Sequence, residues 1–134
     1  MASSLTYVSK SLLTYPEDER EIAAIVEVAL KRNLFLHVTG ALISTPHYFA
    51  QILEGPSAAI DALMLSISRD PRHHDIQVIE KLDRDQRRFG KWSMAYSGHA
   101  NYVDKHISVF DNRSENVDAA SLHRLHRLML EFAR

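Results

Sequence analysis

The sequence predicts an α+β fold: a five-stranded mixed sheet with two helices on one face and a C-terminal helical tail for the other. Three observations point there. Short runs rich in β-branched and aromatic residues alternate with two stretches whose apolar residues recur at helical spacing. Glycine and proline, four of each, fall between those runs. A length of 134 residues with 46% hydrophobic content suits one domain around one core.

Each element follows in order. Leu5 to Lys10 is strand-like, with Leu, Thr, Tyr and Val. Thr14-Tyr15-Pro16 breaks the chain. Asp18 to about Arg32 reads as a helix. Its acidic start (Glu17, Asp18, Glu19) and basic end (Lys31, Arg32) suit the helix dipole. Its stripe is Ile22, Ile25, Val26, Ala29 and Leu30. Leu36 to Ser44 and Tyr48 to Glu54 are strands joined by Thr45-Pro46-His47, hence a hairpin. Gly55-Pro56-Ser57 ends the second, and Ser57 is placed to cap the next helix. Ile60, Leu63, Met64 and Ile67 mark that helix, which Pro71 stops. Ile76 to Leu82 is a fourth strand. Trp92 to Ser97 is a fifth, beyond the charged stretch Asp83 to Arg88. A short segment near Val103 to Val109 precedes a last helix, with Leu122, Leu125, Met129 and Phe132 in one stripe.

The order β-α-β-β-α-β-β is a split β-α-β, ferredoxin-like plan with one strand added. Residues 1–100 then form the main domain and 101–134 a helical extension. The stripe of the last helix must be buried, on the sheet's free face or on a partner.

Composition excludes several classes. No apolar run reaches the ~18–20 residues of a membrane span. MASSLTYVSK lacks the basic and apolar regions of a signal peptide, so a cytoplasmic location is expected. Without cysteine there is no disulfide, iron–sulfur cluster, thiol nucleophile or thiolate zinc site. A formal net charge of −1 does not suggest a nucleic-acid binder. Nucleotide-fold, P-loop, hydrolase and zincin motifs are absent, and no acid–base pair is placed by sequence. The adjacent His73 and His74 lack the spacing of a metal site.

Some residues break the local pattern. In the third strand Phe49, Gln51 and Leu53 share one face, and Tyr48, Ala50, Ile52 and Glu54 share the other. Gln51 is thus flanked by apolar residues on the face expected to meet the helices. Its amide either lies at an edge in water or points at a polar ligand in the helix–sheet layer. Tyr7 reads from pattern alone as a core tyrosine. Asn33, past the basic helix end, reads as a left-handed cap, a role compatible with ligand contact. Trp92, Met94 and Tyr96 share one face of the fifth strand, the usual mark of core packing. Arg69 to His74 reads as a solvated turn.

In chain order these segments, about residues 4 to 97, resemble the BLUF domain, a small flavin-binding blue-light sensor. Leu5-Thr6-Tyr7-Val8-Ser9 is similar to its opening strand, with the tyrosine and the serine two positions on. Asn33 and Val38-Thr39-Gly40-Ala41-Leu42 resemble the family's asparagine and its hydrophobic-Thr-Gly strand. Phe49 to Gly55 matches F-x-Q-x-[LI]-E-G, and Asp70-Pro71-Arg72-His73 matches D-x-R-H. Arg88-Phe89 and Trp92-Ser93-Met94 match R-F-x-x-W-x-M.

The resemblance implies an oxidised flavin, usually FAD, held between the two helices on the sheet. FMN or riboflavin stay open, since no dinucleotide motif is present. It makes Tyr7 the photochemical electron and proton donor, and Gln51 the amide bridging Tyr7 and the flavin N5/O4 edge. Asn33 would bond the O4/N3 edge, with Arg32 in a neighbouring ring-contact position and Ser9 counted among the flavin-binding residues. Asp70, Arg72 and His73 would lie beside the pyrimidine end, ribityl chain and phosphate. Trp92 and Met94 belong to the strand that relays the change, and which of them lies near Gln51 varies in the family.

A cysteine-free chain cannot form the cysteine adduct of another flavin photosensor class, so its light chemistry must be non-covalent. Tyrosine can give an electron and then a proton. Glutamine can exchange donor for acceptor by rotating or tautomerising, and a stronger bond to the flavin carbonyl would red-shift its absorption slightly. The stretch after the matched core leaves no room for a cyclase, phosphodiesterase or DNA-binding output. The expectation is a short stand-alone sensor, not an enzyme, acting through a downstream signalling protein or its own homo-oligomer. The last helix's stripe is the candidate surface. Two alternatives stand beside it. An acylphosphatase-like enzyme needs a Gly-rich loop with an arginine after the first strand, and Ser9 to Tyr15 has neither. A flavin-free or non-photoactive adaptor of the same fold would have no use for Tyr7, Asn33 and Gln51 together.

Overall fold

The computed structural model describes residues 2–14, 18–111 and 117–133. The elements are β1 (Ala2–Ser11), α1 (Glu19–Phe35), β2 (Thr39–Ser44), β3 (Tyr48–Gly55), α2 (Ser57–Ser68), β4 (His73–Arg84), β5 (Trp92–Ser97), α3 (Asn101–Ser108) and α4 (Ala119–Phe132). The strands form one sheet in the order β4-β1-β3-β2-β5. Every pair is antiparallel except β2–β5, giving the expected mixed sheet.

The sheet separates two apolar layers. On one face Leu5, Leu42, Phe49, Leu53 and Trp92 pack with Ala29 of α1 and with Ile60 and Leu63 of α2. On the other, Val8, Ile43, Ala50 and Ile52 pack with Val103 and Ile107 of α3 and with Leu125 and Met129 of α4. The strict alternation of β3 feeds both layers, so a central strand with no exposed face is buried from Phe49 to Gly55. Gly40 lets β2 lie close to β3: at φ +150, a Cβ there would sit 1.9 Å from the Ile52 carbonyl oxygen.

The stripe of α4 is covered by its own sheet. Leu125 and Met129 are fully buried, and Leu122 and Phe132 pack against the same layer. Of the two places expected for it, the sheet's free face is the one it takes, so the stripe is not free as an oligomer surface. The short segment before it is α3.

Element ends differ where pairing or packing overrides local signals. β1 starts at Ala2 and β4 runs from His73 to Arg84, because each extends the other's ladder. α1 continues past its basic end to Phe35, so Leu36 is its C-cap and β2 begins only at Thr39. Asn33 is accordingly inside the helix and not a left-handed cap; His37 takes the positive φ, at 59°. The buried line of α1 is Ile22, Ala29 and Asn33, and Leu30, a step around the helix, is 46% exposed. Ser57 opens α2 as its first helical residue and Pro56 holds the cap position. Tyr96 leaves the face it was expected to share with Trp92. Pairing slips between Leu42–Met94 and Ile43–Tyr96, and the Tyr96 ring meets Phe132 of α4 at 5.0 Å. The Tyr15-Pro16 break and Glu17 lie outside the described residues. Among the described residues no helix is long and apolar enough to cross a membrane.

Candidate functional site

A cleft of about 110 Å³ opens between α1, α2 and the sheet. Ile25, Val28 and Ala29 of α1, Ile67 of α2, and Leu42 and Phe49 of the sheet form its apolar walls. Tyr7, Gln51 and Trp92, from three different strands, project into the same layer. The sheet order brings them together: Tyr7 pairs directly with Gln51 across β1–β3, and β2 alone lies between β3 and the strand of Trp92.

Their polar atoms form one chain. Trp92 Nε1 donates to Gln51 Oε1 at 2.9 Å, and Gln51 Nε2 donates to Tyr7 Oη at 2.7 Å. Indole N–H can only donate, so the amide must turn its oxygen to Trp92 and its NH2 to Tyr7. All three side chains are buried, at 5% exposure or less. Burial pushes the Tyr7 phenol far above its usual range, against the opposing pull of the Gln51 bond and Arg32. Burial thus favours the neutral phenol over the phenolate. Met94 is half-buried on the same side of the sheet; Trp92 is the relay candidate bonded to Gln51.

The polar end is built on the turn after α2. Arg72 Nη2 and Nε grip the Asp70 carboxylate at 2.6 and 2.8 Å, and that bond holds Asp70 below the usual carboxylate range. His73 Nε2 donates to the Ile67 carbonyl and Nδ1 meets Ser9 Oγ, each at 2.7 Å. The imidazole thus ties β1 to the end of α2 and lays its ring 5.9 Å from Phe49 and 6.2 Å from Tyr7. Asp70, Arg72 and His73 all line the cleft, while Ser9 does not line it and is buried behind His73, bonded to it.

Arg32 lines the cleft, and burial pushes its guanidinium down. Asn33 is fully buried and borders a second groove that shares Trp92 with the cleft. Three atoms of these two consecutive residues, Arg32 Nε and Asn33 Nδ2 and Oδ1, are buried without a partner. Each such atom costs about 1–3 kcal/mol unless a ligand supplies its bond. Apolar walls, a hydrogen-bonding interior and the orphaned Arg32 donor in the cleft wall, with the unpartnered Asn33 amide next to it in the chain, fit a flat ring system with a polar edge, as a flavin is.

Sequence reasoning assigned the opposite face to the C-terminal helical tail but gave no role there to Glu54, Arg88 or His126. Glu54, fully buried, accepts from the backbone N–H of Arg88 (2.6 Å) and Phe89 (3.1 Å) and pairs with the Arg88 side chain at 3.2 Å. Arg88 Nη1 meets His126 Nδ1 at 3.1 Å, and His126 Nε2 meets Thr6 Oγ1 at 2.9 Å. A guanidinium only donates, so His126 is neutral with its proton on Nε2. This network bolts α4 to the strand that carries Tyr7. Its signal in the sequence was Glu54, a charge on an otherwise apolar strand face.

The geometry defines a non-covalent binding module for a planar ring, with a switchable amide at its centre. Residues 3–95 match the BLUF family, described as sensors of blue light using FAD, and the chain belongs to that family. It is 34% identical over 93 residues to the photoactivated adenylate cyclase subunit beta of Euglena longa, covering 69% of this chain and 11% of that protein. It is also 34% identical over 89 residues to the blue light- and temperature-regulated antirepressor of Escherichia coli K12, covering 66% and 22%. The chain thus spans about a quarter or less of these curated relatives. The dark-state structure of BlrB, a BLUF protein, superposes with a TM-score of 0.78 at 31% identity, covering 97% of this chain and 96% of that one.

Proposed function

We propose that this chain senses blue light by turning over the Gln51 amide between Tyr7 and Trp92. The observation that carries it is the three-residue hydrogen-bond chain beside the orphaned polar atoms of Arg32 and Asn33. A bound flavin supplies blue-light absorption and an excited state that takes up an electron and a proton. Tyr7 is the donor: its buried phenol gives up a proton only together with an electron. Gln51 answers by rotating or tautomerising. A rotated amide presents NH2 to the Trp92 N–H, two donors face to face, so the indole loses its acceptor, a cost of about 1–3 kcal/mol. Rotation thus couples a change at Tyr7 to β5.

In this reading Arg32 and Asn33 hold the ring's polar edge. Asp70 and Arg72 face the pyrimidine end and the side chain of the cofactor, and His73, set by Ser9, closes the wall. Met94 follows Trp92 as a packing neighbour in the relay. Residues 1–100 are the flavin module and 101–134 the extension that receives its signal. The stretch is a sensor without catalysis of its own, works in the cytoplasm and reports to a separate signalling protein or to further copies of itself.

The chain has one tryptophan, so one indole resonance reports residue 92. The test is a ¹⁵N spectrum and a visible spectrum of the flavin-loaded chain, dark and under blue light. We expect the indole peak to move and the flavin band to shift slightly red, both reverting in darkness. Tyr7→Phe keeps the flavin and loses both changes. A red shift that persists in that variant, or an indole peak that never moves, would sink the reading.

A further inference from the structure

A second groove runs along the end of α1, the start of β2 and the loop between β4 and β5. Trp92 lies in its wall as well as in the wall of the cleft. Its lining includes Lys31, Arg87 and Lys91 and no carboxylate, in a chain whose net charge is −1. Positive charge is therefore gathered here. Arg87 Nη1 is braced by neutral acceptors, the carbonyls of His37 (2.7 Å) and Glu54 (3.3 Å), which orient it without neutralising it. Lys31 pairs with Glu27 at 3.8 Å, with both side chains largely in water, an easily exchanged contact. Beside these cations Leu30 and Leu34, one turn apart on α1, are 46% and 79% exposed.

We propose that this groove docks an acidic amphipathic helix of a separate signalling protein, and that blue light weakens the docking. An apolar strip flanked by Arg87, Lys91 and the loosely paired Lys31 is complementary to a helix with leucine-type anchors and flanking Glu or Asp. A second copy of the chain fits poorly: the outward side of α4 carries His123, Arg124 and Arg127, and its apolar stripe is already buried. The light dependence rests on the Gln51 reading above. The groove's shape includes a Trp92 pinned by the Gln51 carbonyl, and a turned amide releases that pin.

The test uses the full flavin-loaded chain and a fluorescein-labelled helical peptide with leucines one turn apart and glutamates flanking them. Anisotropy is read in the dark and under blue light. We expect saturable dark binding that weakens several-fold under illumination. The double variant Lys31→Glu, Lys91→Glu and the variant Leu34→Ser each bind at least about tenfold more weakly, while keeping flavin absorption and its red shift. Equal binding by wild type and the charge variant overturns the proposal. So does equally tight binding of a lysine-for-glutamate peptide, or displacement by an oligonucleotide or anionic vesicles at comparable charge. A normal red shift with unchanged peptide affinity overturns the light gating. If the flavin gives no red shift at all, the sensor reading fails by itself, and the dark comparison of wild type and variants still decides the docking.

Discussion

Gln51 is the residue on which the site turns, because its one amide joins Tyr7 to Trp92 and rotation would exchange the donor and acceptor it offers them. Trp92 can only donate, so it fixes the amide oxygen on its side and leaves the NH2 for Tyr7, whose neutral phenol can accept or donate. Gln51→Leu should abolish the red shift while the apolar walls still hold flavin. It also strands a buried indole N–H and the phenol oxygen, a loss of about 1–3 kcal/mol each. A thermal melt of the loaded variant checks the second effect and its visible spectrum the first. Asn33 shows how burial changes a residue's meaning. At a frayed helix end its amide would find water; inside α1 both its polar atoms are unpartnered.

At the scale of elements, the attachment of α4 depends on a neutral histidine. Burial and the facing charge of Arg88 push His126 down to about 4, against the pull of Glu80 and Glu54. His123, on the same helix, adds to the downward push. The sign follows directly. Between about pH 6.5 and 4 the unfolded chain binds a proton at this site that the folded chain refuses. The stability from a neutral His126 is complete above about pH 6.5 and is lost as pH falls toward 4. The melting temperature should fall from pH 7.5 to pH 5, and His126→Asn should flatten that slope. The variant is the necessary control, since the chain has eight histidines. An unchanged slope in the variant would place the pH dependence elsewhere.

At the scale of the whole molecule, the cofactor belongs to the stability of the fold. A ligand that binds only the folded chain stabilises it by mass action, about 2.7 kcal/mol at a hundredfold excess over Kd. For a chain of this size that is a rise of about 10 °C in melting temperature. Stripping the flavin and adding back FAD, FMN or riboflavin should lower and then restore the melting point. The recovery with each ranks the contribution of Asp70, Arg72 and the cofactor's side chain. No rise with any of them would contradict the fit of the cleft.

The element order was legible because β3 alternates strictly and both helices of the flavin face carry periodic stripes. Phe49, Gln51 and Leu53 on one side and Ala50 and Ile52 on the other already implied a sheet covered on both faces. The motif residues around Tyr7, Gln51, Asp70 and Trp92 were readable as well, because the family keeps them in chain order. Local patterning could not show where backbone pairing slips, as at Tyr96, or where a helix overruns its charge signals, as at Asn33. Nor could it show that Glu54, Arg88 and His126, far apart in the chain, close one network. The sequence by itself determined which residues of the regularly paired strand β3 face which layer, since side-chain period is a local property of a strand. Only the tertiary structure decided that Trp92 rather than Met94 bonds Gln51, and that α4 is latched to β1 through His126. Those choices depend on sheet order and crossing chains, and their energies come from contacts between residues that no local period relates.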